Sequence, residues 1–344
     1  MMPKSVPAEQ DDIDLDAVAQ LLVDEAGVDL VGPLHLDLLS GGRSNLTYVL
    51  TDGMTEWVLR RPPLGHVLAT AHDMGREVRV QLALGRAGFP VPRILLSVAG
   101  PPVNFYVMER IRGCVLRSDA DLIAVPFDCR GVIGEAFIDT LSDLHRLAPD
   151  RVGLTDFGRP IGFLERQLAR WSKQLAASRS RTVPGFDELV TKLATGLPTD
   201  APVSVVHGDY RLDNTILDVG VAPRVRAVLD WEMSTLGDPL SDVGMVHMFW
   251  EGWRGIDNPI AGTPGAHPGY PSWDVLAARY EERSGRRLAN FSWYQAYACF
   301  KLAVILEGIH YRHSQGVTVG TGFEDIGGMV EPLVDRGLAT YREH

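Results

Sequence analysis

The chain has 344 residues, 45% of them hydrophobic and 22% charged, and a formal net charge of -11. This composition is that of a folded globular protein and excludes a disordered or fibrous one. The acidic excess, with no long Lys/Arg run, argues against nucleic acid as the main partner. Cys114, Cys129 and Cys299 are odd in number and irregularly spaced, so neither a disulfide framework nor a zinc pattern is expected. The opening MMPKSVPAEQDDIDLD is polar and acidic without a signal-like apolar core, and no apolar run approaches the ~20 residues of a membrane span. The nearest, residues 298–309, is broken by Lys301 and Glu307. A cytoplasmic protein without a membrane partner is therefore expected. Its length exceeds what one core comfortably holds, which points to one large domain or two lobes.

Apolar residues at helical spacing after an acidic start place a helix over 15–26. The period then changes to two. Strands are expected over 34–38, 46–50 and 57–59, with Asp52-Gly53 as a hairpin turn, giving an antiparallel meander. A helix over 72–84 stops at the segment 85–92, and a second strand pair follows over 93–98 and 104–109. After Gly113 the pattern turns helical, with amphipathic segments over 133–147, 161–175 and 186–193. Short apolar strands over 203–206, 215–217 and 225–229 surround the sequence HGDYRLDN. Residues 252–271, rich in Gly and Pro, read as a long loop with the character of a substrate lid.

HGDYRLDN places Asp209 five positions before Asn214, in a loop after an apolar strand. Phosphoryl transfer needs a carboxylate to orient and deprotonate the attacking hydroxyl, and a neutral oxygen ligand to help hold a magnesium ion. Asp209 and Asn214 suit those two roles. The strand VRAVLD ends at Asp230, where a hairpin would return a second, charged magnesium ligand beside Asn214. In the first half, the turn 40–45 contains Gly41 and Gly42, followed by Ser44 and Asn45. Its glycines allow backbone N–H groups to approach phosphates closely. In EWVLRRPP the alternation puts Val58 and Arg60 on one face of a strand and Leu59 and Arg61 on the other.

Together these segments resemble the protein-kinase-like fold, in the small-molecule branch typified by aminoglycoside phosphotransferases and choline kinases. The resemblance runs the length of the chain. HGDYRLDN is similar to that branch's catalytic loop, DWE at Asp230 to Glu232 stands for the metal loop, and GDPLSDVG follows. It implies an α+β, two-lobed fold: residues 1–108 a nucleotide-binding antiparallel sheet lobe with a leading helix, 109–113 a hinge, and 114–344 a mainly helical catalytic and substrate lobe. It also implies ATP and Mg2+, with Asp209 as catalytic base, Asn214 and Asp230 as metal ligands, and Arg211 as a cation facing the terminal phosphate. Asp242 would be structural, accepting hydrogen bonds from the catalytic-loop backbone. Val58 would cover adenine and Arg60 bind phosphates, with Glu77 fixing Arg60. FYVMERIRG resembles the hinge, so Met108 would line the adenine pocket and backbone groups of Glu109 and Ile111 would meet the adenine edge. Arg60 stands where lysine is usual, and arginine is longer and planar though equally charged.

SGGRSNLTYVL, VLRRPP, HGDYRLDN and VLDWEMSTLGDPLSDVG more closely resemble the phosphotransferase domain fused to, or found beside, certain acyl-CoA dehydrogenases, which shares Arg60. That implies a hydroxyacyl-CoA or hydroxy acid as the small-molecule hydroxyl acceptor, and functional association with an acyl-CoA dehydrogenase. An aminoglycoside acceptor is the enzymatic alternative, and a nucleotide-binding pseudokinase with a regulatory role is the non-enzymatic one. Several residues have plainer readings. His207 is expected to hold the loop rather than act as base, since Asp209 fills that role. His145 and the aromatics Trp250, Trp253, Trp293 and Tyr297 are expected in the core. His310 and His313 lack a third metal ligand, and Arg146, Arg166 and Arg170 read as solvated helix faces.

Overall fold

The alternation in the first hundred positions becomes a sheet. The computed structural model describes residues 13–39, 45–62, 74–100, 104–199, 202–258, 260–316 and 324–342, and the chain divides into two units, Met1–Arg112 and Gly113–His344. Helix α1 (Leu15–Asp24) starts at Asp14, whose carboxylate accepts the amides of Asp16 and Ala17 at 3.1 Å each. Strands β1 (His35–Leu38), β2 (Leu46–Thr51), β3 (Glu56–Arg61), β4 (Ile94–Val98) and β5 (Phe105–Glu109) form an antiparallel sheet in the order β1-β2-β3-β5-β4. At the β2–β3 turn the Asp52 carboxylate accepts the amides of Met54 and Thr55 at 3.0 and 2.7 Å, and Gly53 takes the left-handed φ of 92° the turn requires.

One sheet face packs Leu50, Leu59 and Val107 against Val18 and Leu22 of α1. The other packs Val58, Tyr106 and Met108 against Met74 and Val78 of helix α2 (Met74–Arg86). Val58 and Leu59 thus enter different cores, as their alternation demands.

The second unit begins with α3 (Asp119–Ala124), α4 (Phe127–Arg146), α5 (Phe163–Ser178) and α6 (Phe186–Thr195). Two short antiparallel ribbons follow. β6 (Ser204–Val206) pairs with β9 (Thr235–Gly237), and β7 (Thr215–Asp218) pairs with β8 (Arg224–Val228) between them. Helices α7 (Leu240–His247), α8 (Trp273–Ser284), α9 (Phe291–Ser314) and α10 (Val330–Arg342) complete it. Alpha-helix α7 runs directly into a π-helical turn, Met248–Gly252. Most of α9 is buried, and it packs against α5, α6, α7 and α10.

The sheet strands and α4 to α6 coincide closely with the amphipathic patterns in the sequence. Helices α7 and α9 do not announce themselves, because every residue from Leu240 to Val246 is buried, and α9 is buried on all sides over most of its length. A helix with no polar face has no period to read. Strand β9 is too short to show alternation. Among the described residues no helix is long and apolar enough to cross a membrane. The run 298–309 is the centre of α9, and its two charges are buried with partners: Lys301 donates to the Gly208 carbonyl at 2.6 Å, and Glu307 takes Arg181 at 2.9 Å. The expected core residues His145, Trp250, Trp253, Trp293 and Tyr297 are all buried.

Candidate active site

Strand β6 ends at His207 and delivers the sequence HGDYRLDN into a loop. Gly208 has φ 86°, and a Cβ there would lie 2.7 Å from the Met233 carbonyl oxygen, so both conformation and space require glycine. The amides of His207 and Gly208 donate to the two oxygens of Asp242, at 2.7 and 2.8 Å. Asp242 sits on the first turn of α7, 1% exposed, and its Oδ2 also meets His145 Nε2 at 3.3 Å. Burial works against this carboxylate, but His145, His207 and the amide bond outweigh it and hold the carboxyl below its usual pKa. His145, closed in between Asp242 and Tyr280, has its own pKa pushed down by burial.

His207 joins the loop to the next segment. Its Nε2 lies 2.9 Å from the Leu229 carbonyl and therefore carries the proton, leaving Nδ1 to accept the Asp209 amide at 3.2 Å. Asn214 donates its side-chain amide to the Asp209 carbonyl at 2.9 Å and to Asp209 Oδ2 at 3.0 Å. The Leu229 amide donates to the Asn214 carbonyl at 2.8 Å. The β7–β8 ribbon thus returns the chain beside Asn214 just before Asp230, which holds a left-handed φ of 64°. For a non-glycine residue this conformation costs on the order of 1 kcal/mol or more, and such strain concentrates at functional positions.

Arg211 lies between these carboxylates. It is ion-paired with Asp213, its Nε is 3.9 Å from Asp209 Oδ2, and its guanidinium covers the Phe249 ring at 4.6 Å. Burial disfavours its charge, but Asp209, Asp213 and Asp230 more than offset this and raise its pKa. Arg211, Leu212 and Asp213 also line a cavity together with Leu116, Arg117, Leu122, Phe137, Val246, Phe249 and Trp250. The loop 252–271 contributes Ala261, Gly262 and Pro264 to this cavity. Asp119 anchors that loop, accepting the Thr263 amide at 2.9 Å and meeting His267 Nε2 at 2.8 Å.

The N-terminal unit builds a separate cluster on Glu77 of α2, 1% exposed. Its carboxylate pairs with Arg60 Nε at 3.3 Å, accepts the Asn45 amide at 3.0 Å and accepts the Tyr106 hydroxyl at 2.9 Å. Asn45 is buried, so it contributes here as a partner of Glu77. Burial, then the Glu77 charge, pushes the Tyr106 pKa far up, which keeps its hydroxyl a donor. Val58 and Met108 are paired across β3 and β5 within one apolar cluster. Glu109 ends β5, its amide donating to the Arg93 carbonyl at 2.9 Å, and Ile111 follows in the irregular segment after it. Gly41, Gly42 and Ser44 lie outside the described residues.

Sequence reasoning did not assign Tyr106, Asp213, Phe249 or Lys301 to the site. Lys301 alone carried a signal, as a charge inside an apolar run.

A sheet unit presenting a fixed arginine and a helical unit presenting an Asp/Asn loop with a strained Asp beyond it define a small-molecule phosphotransferase with a kinase-like fold. Residues 35–289 match the model of the phosphotransferase enzyme family APH, and the chain belongs to that family. It is 36% identical over 311 residues to acyl-CoA dehydrogenase family member 11 of Rattus norvegicus, a match that covers 88% of this chain and 39% of that protein. The chain therefore spans about two fifths of this curated relative's length. A Ralstonia eutropha structure provisionally assigned as an aminoglycoside phosphotransferase is 30% identical, with a TM-score of 0.82 over 96% of this chain and 98% of that one. The choline kinase of Cryptosporidium parvum shares the fold at 13% identity, with a TM-score of 0.61 over 96% of each chain.

Proposed function

We propose that this enzyme transfers the terminal phosphoryl group of ATP, with Mg2+, to a hydroxyl of a hydroxyacyl-CoA or hydroxy acid. The observation that carries the reaction is Asn214 bound to the Asp209 side chain while the β7–β8 ribbon brings Asp230 back beside it. In this reading Asp209 takes the proton of the acceptor hydroxyl as that oxygen forms its bond to the terminal phosphorus. The bridging P–O bond of ATP breaks, ADP leaves with its electron pair, and the proton passes from Asp209 to solvent. Arg211 faces the charge developing on the transferred group.

The donor set fits the metal. The nitrogen of the Asn214 amide is committed to Asp209, so its carbonyl oxygen is the end that serves a cation, and the Asp230 carboxylate adds a charged hard oxygen. When bound, Mg2+ supplies charge neutralisation on the phosphates. On the nucleotide side Arg60, oriented by Glu77, holds phosphate, Val58 and Met108 contact adenine, and Glu109 and Ile111 offer backbone groups to its edge. In this reading Gly41, Gly42, Ser44 and Asn45 contribute to binding the nucleotide phosphates.

The acceptor class rests on the cavity beside Arg211. Its walls are largely apolar, its arginines are Arg117 and Arg211, and its carboxylate Asp213 is already paired to Arg211. The cavity is small, with room for about one water, so what it offers is the chemistry of its lining. That lining is mostly apolar, with two arginines and no free carboxylate, which favours an anionic acceptor over a polycation. Kinship with an acyl-CoA dehydrogenase family protein points the same way and supports a working association with such a dehydrogenase. Likeness to the Ralstonia protein supports the aminoglycoside alternative.

The test is incubation with ATP, Mg2+ and a panel of hydroxyacyl-CoAs, hydroxy acids and aminoglycosides, with products weighed by mass spectrometry. A phosphorylated hydroxyacyl-CoA or hydroxy acid is expected, and phosphorylation of aminoglycosides alone would overturn the acceptor. Asp209→Asn should keep ATP affinity while turnover falls about a thousandfold; Asp230→Ala should damage both. Full turnover in either variant would remove that residue from its role.

A further inference from the structure

We infer that Lys301 is a positioning residue for phosphoryl transfer: from helix α9, its ammonium fixes the peptide that joins Gly208 to Asp209 and so aims the Asp209 carboxylate. The inference rests on the role proposed for Asp209.

The geometry is specific to that peptide. Lys301 Nζ donates to the Gly208 carbonyl at 2.6 Å, and the other end of the same peptide unit, the Asp209 amide, donates to His207 Nδ1 at 3.2 Å. Both ends of one planar group are therefore held, and with them the direction in which the Asp209 side chain leaves the backbone. The preceding peptide is fixed by Asp242, which accepts the Gly208 amide at 2.8 Å. Gly208 is the residue that most needs such restraint, because a glycine at φ 86° has no side chain to limit its rotation. An anion holds its N–H, and a cation holds its C=O.

Apart from the Trp171 ring that the ammonium covers, the surroundings of Lys301 on α9 are apolar and offer its charge little. Lys301 is 5% exposed, flanked by the buried Phe300 and Leu302, and its ammonium lies 5.5 Å over the Trp171 ring of α5. Burial pushes its pKa down, against the pull of Asp209 and Asp242. A methionine would fill the space without that desolvation cost. The lysine is explained by the carbonyl it reaches, and that carbonyl belongs to the residue before the proposed base.

The experiment is Lys301→Met in the full chain, assayed with MgATP and the hydroxyacyl-CoA acceptor. The expected result is a kcat lower by about ten- to a hundredfold, as for a misplacement of order 1 Å in a reacting group. KM for ATP should stay within about twofold and Tm within a few degrees, because the desolvation cost recovered on removing the buried ammonium offsets much of the hydrogen bond lost at the part-buried Gly208 carbonyl. An unchanged kcat would overturn the inference, as would losses of kcat, ATP binding and Tm in proportion. Lys301→Leu, which keeps neither charge nor donor, is read in the same way should the methionine variant fail to fold. Asp209→Asn is run alongside: if it retains turnover the functional reading fails, whereas a dead Asp209→Asn beside a fully active Lys301→Met sinks this inference alone. Should no acceptor be turned over, amide hydrogen exchange decides. Lys301→Met is expected to expose residues 207–210 selectively, and unchanged protection there overturns the proposal.

Discussion

Glu77 in the N-terminal unit and Asp242 in the C-terminal unit are both 1% exposed carboxylates, and they do opposite kinds of work. Glu77 collects side chains: Arg60, Asn45 and Tyr106 converge on it from three strands or strand ends. Asp242 collects backbone: it takes two consecutive amides of the catalytic loop, with His145 behind it. The first therefore sets the position of one long, flexible cation, while the second sets the path of the main chain. A movable side chain tolerates an imperfect partner better than a peptide does, because peptide orientation carries every residue that follows.

That contrast makes graded predictions. Asp242→Asn turns one acceptor oxygen into a donor facing an amide, so it should cost about 3–5 kcal/mol of stability and most of kcat, measured by urea unfolding and turnover. Equal or smaller losses than for the Glu77 variant would break the contrast. Acid addresses the C-terminal unit in particular. Burial, reinforced by the Arg336 charge, lowers the His247 pKa from 6.5 to about 4, and Gln295 lies 2.9 Å from its Nε2. The folded pKa lies below the unfolded one, so the unfolded chain binds more protons between those values and stability is lost as pH falls from about 6.5 to about 4. The loss is about 3 kcal/mol from this residue. His247→Asn should flatten that slope in urea titrations at pH 7 and 5.

Glu77→Gln comes next, at about 2 kcal/mol. It should raise KM for ATP about tenfold while kcat changes little, since Arg60 loses its fixed partner but the catalytic loop does not. The smallest effect belongs to the ladder between α4 and α8, where Arg279 meets Asp139 at 2.7 Å and Arg283 meets Asp143 at 2.7 Å. Arg283 and Asp143 are both exposed, so Arg283→Ala should cost less than about 1 kcal/mol in thermal unfolding, with activity unchanged.

What the sequence disclosed follows the same division. Val58 and Leu59 could be assigned to opposite faces because a strand buried on two sides still alternates. Asp209, Asn214 and Asp230 could be grouped because they sit within one ribbon and its flanks, at separations a hairpin spans. Asp242 was legible as an anchor from the resemblance of GDPLSDVG. The supports that reach across the fold were not. Tyr106 meets Glu77 across 29 positions, and Lys301 meets Gly208 across 93. No periodicity links such pairs, and α9 hides its period altogether by being buried on all sides. Lys301 was visible only as a charge spoiling an apolar run.

The backbone of Asp230 has a consequence of its own. Glycine would relax the left-handed turn there by roughly 1 kcal/mol, yet it would delete the carboxylate proposed to hold magnesium. On the proposed role of Asp230, folding and reaction pull on this position in opposite directions. A selection for thermal tolerance alone would be drawn toward variants that relieve the turn and are catalytically silent.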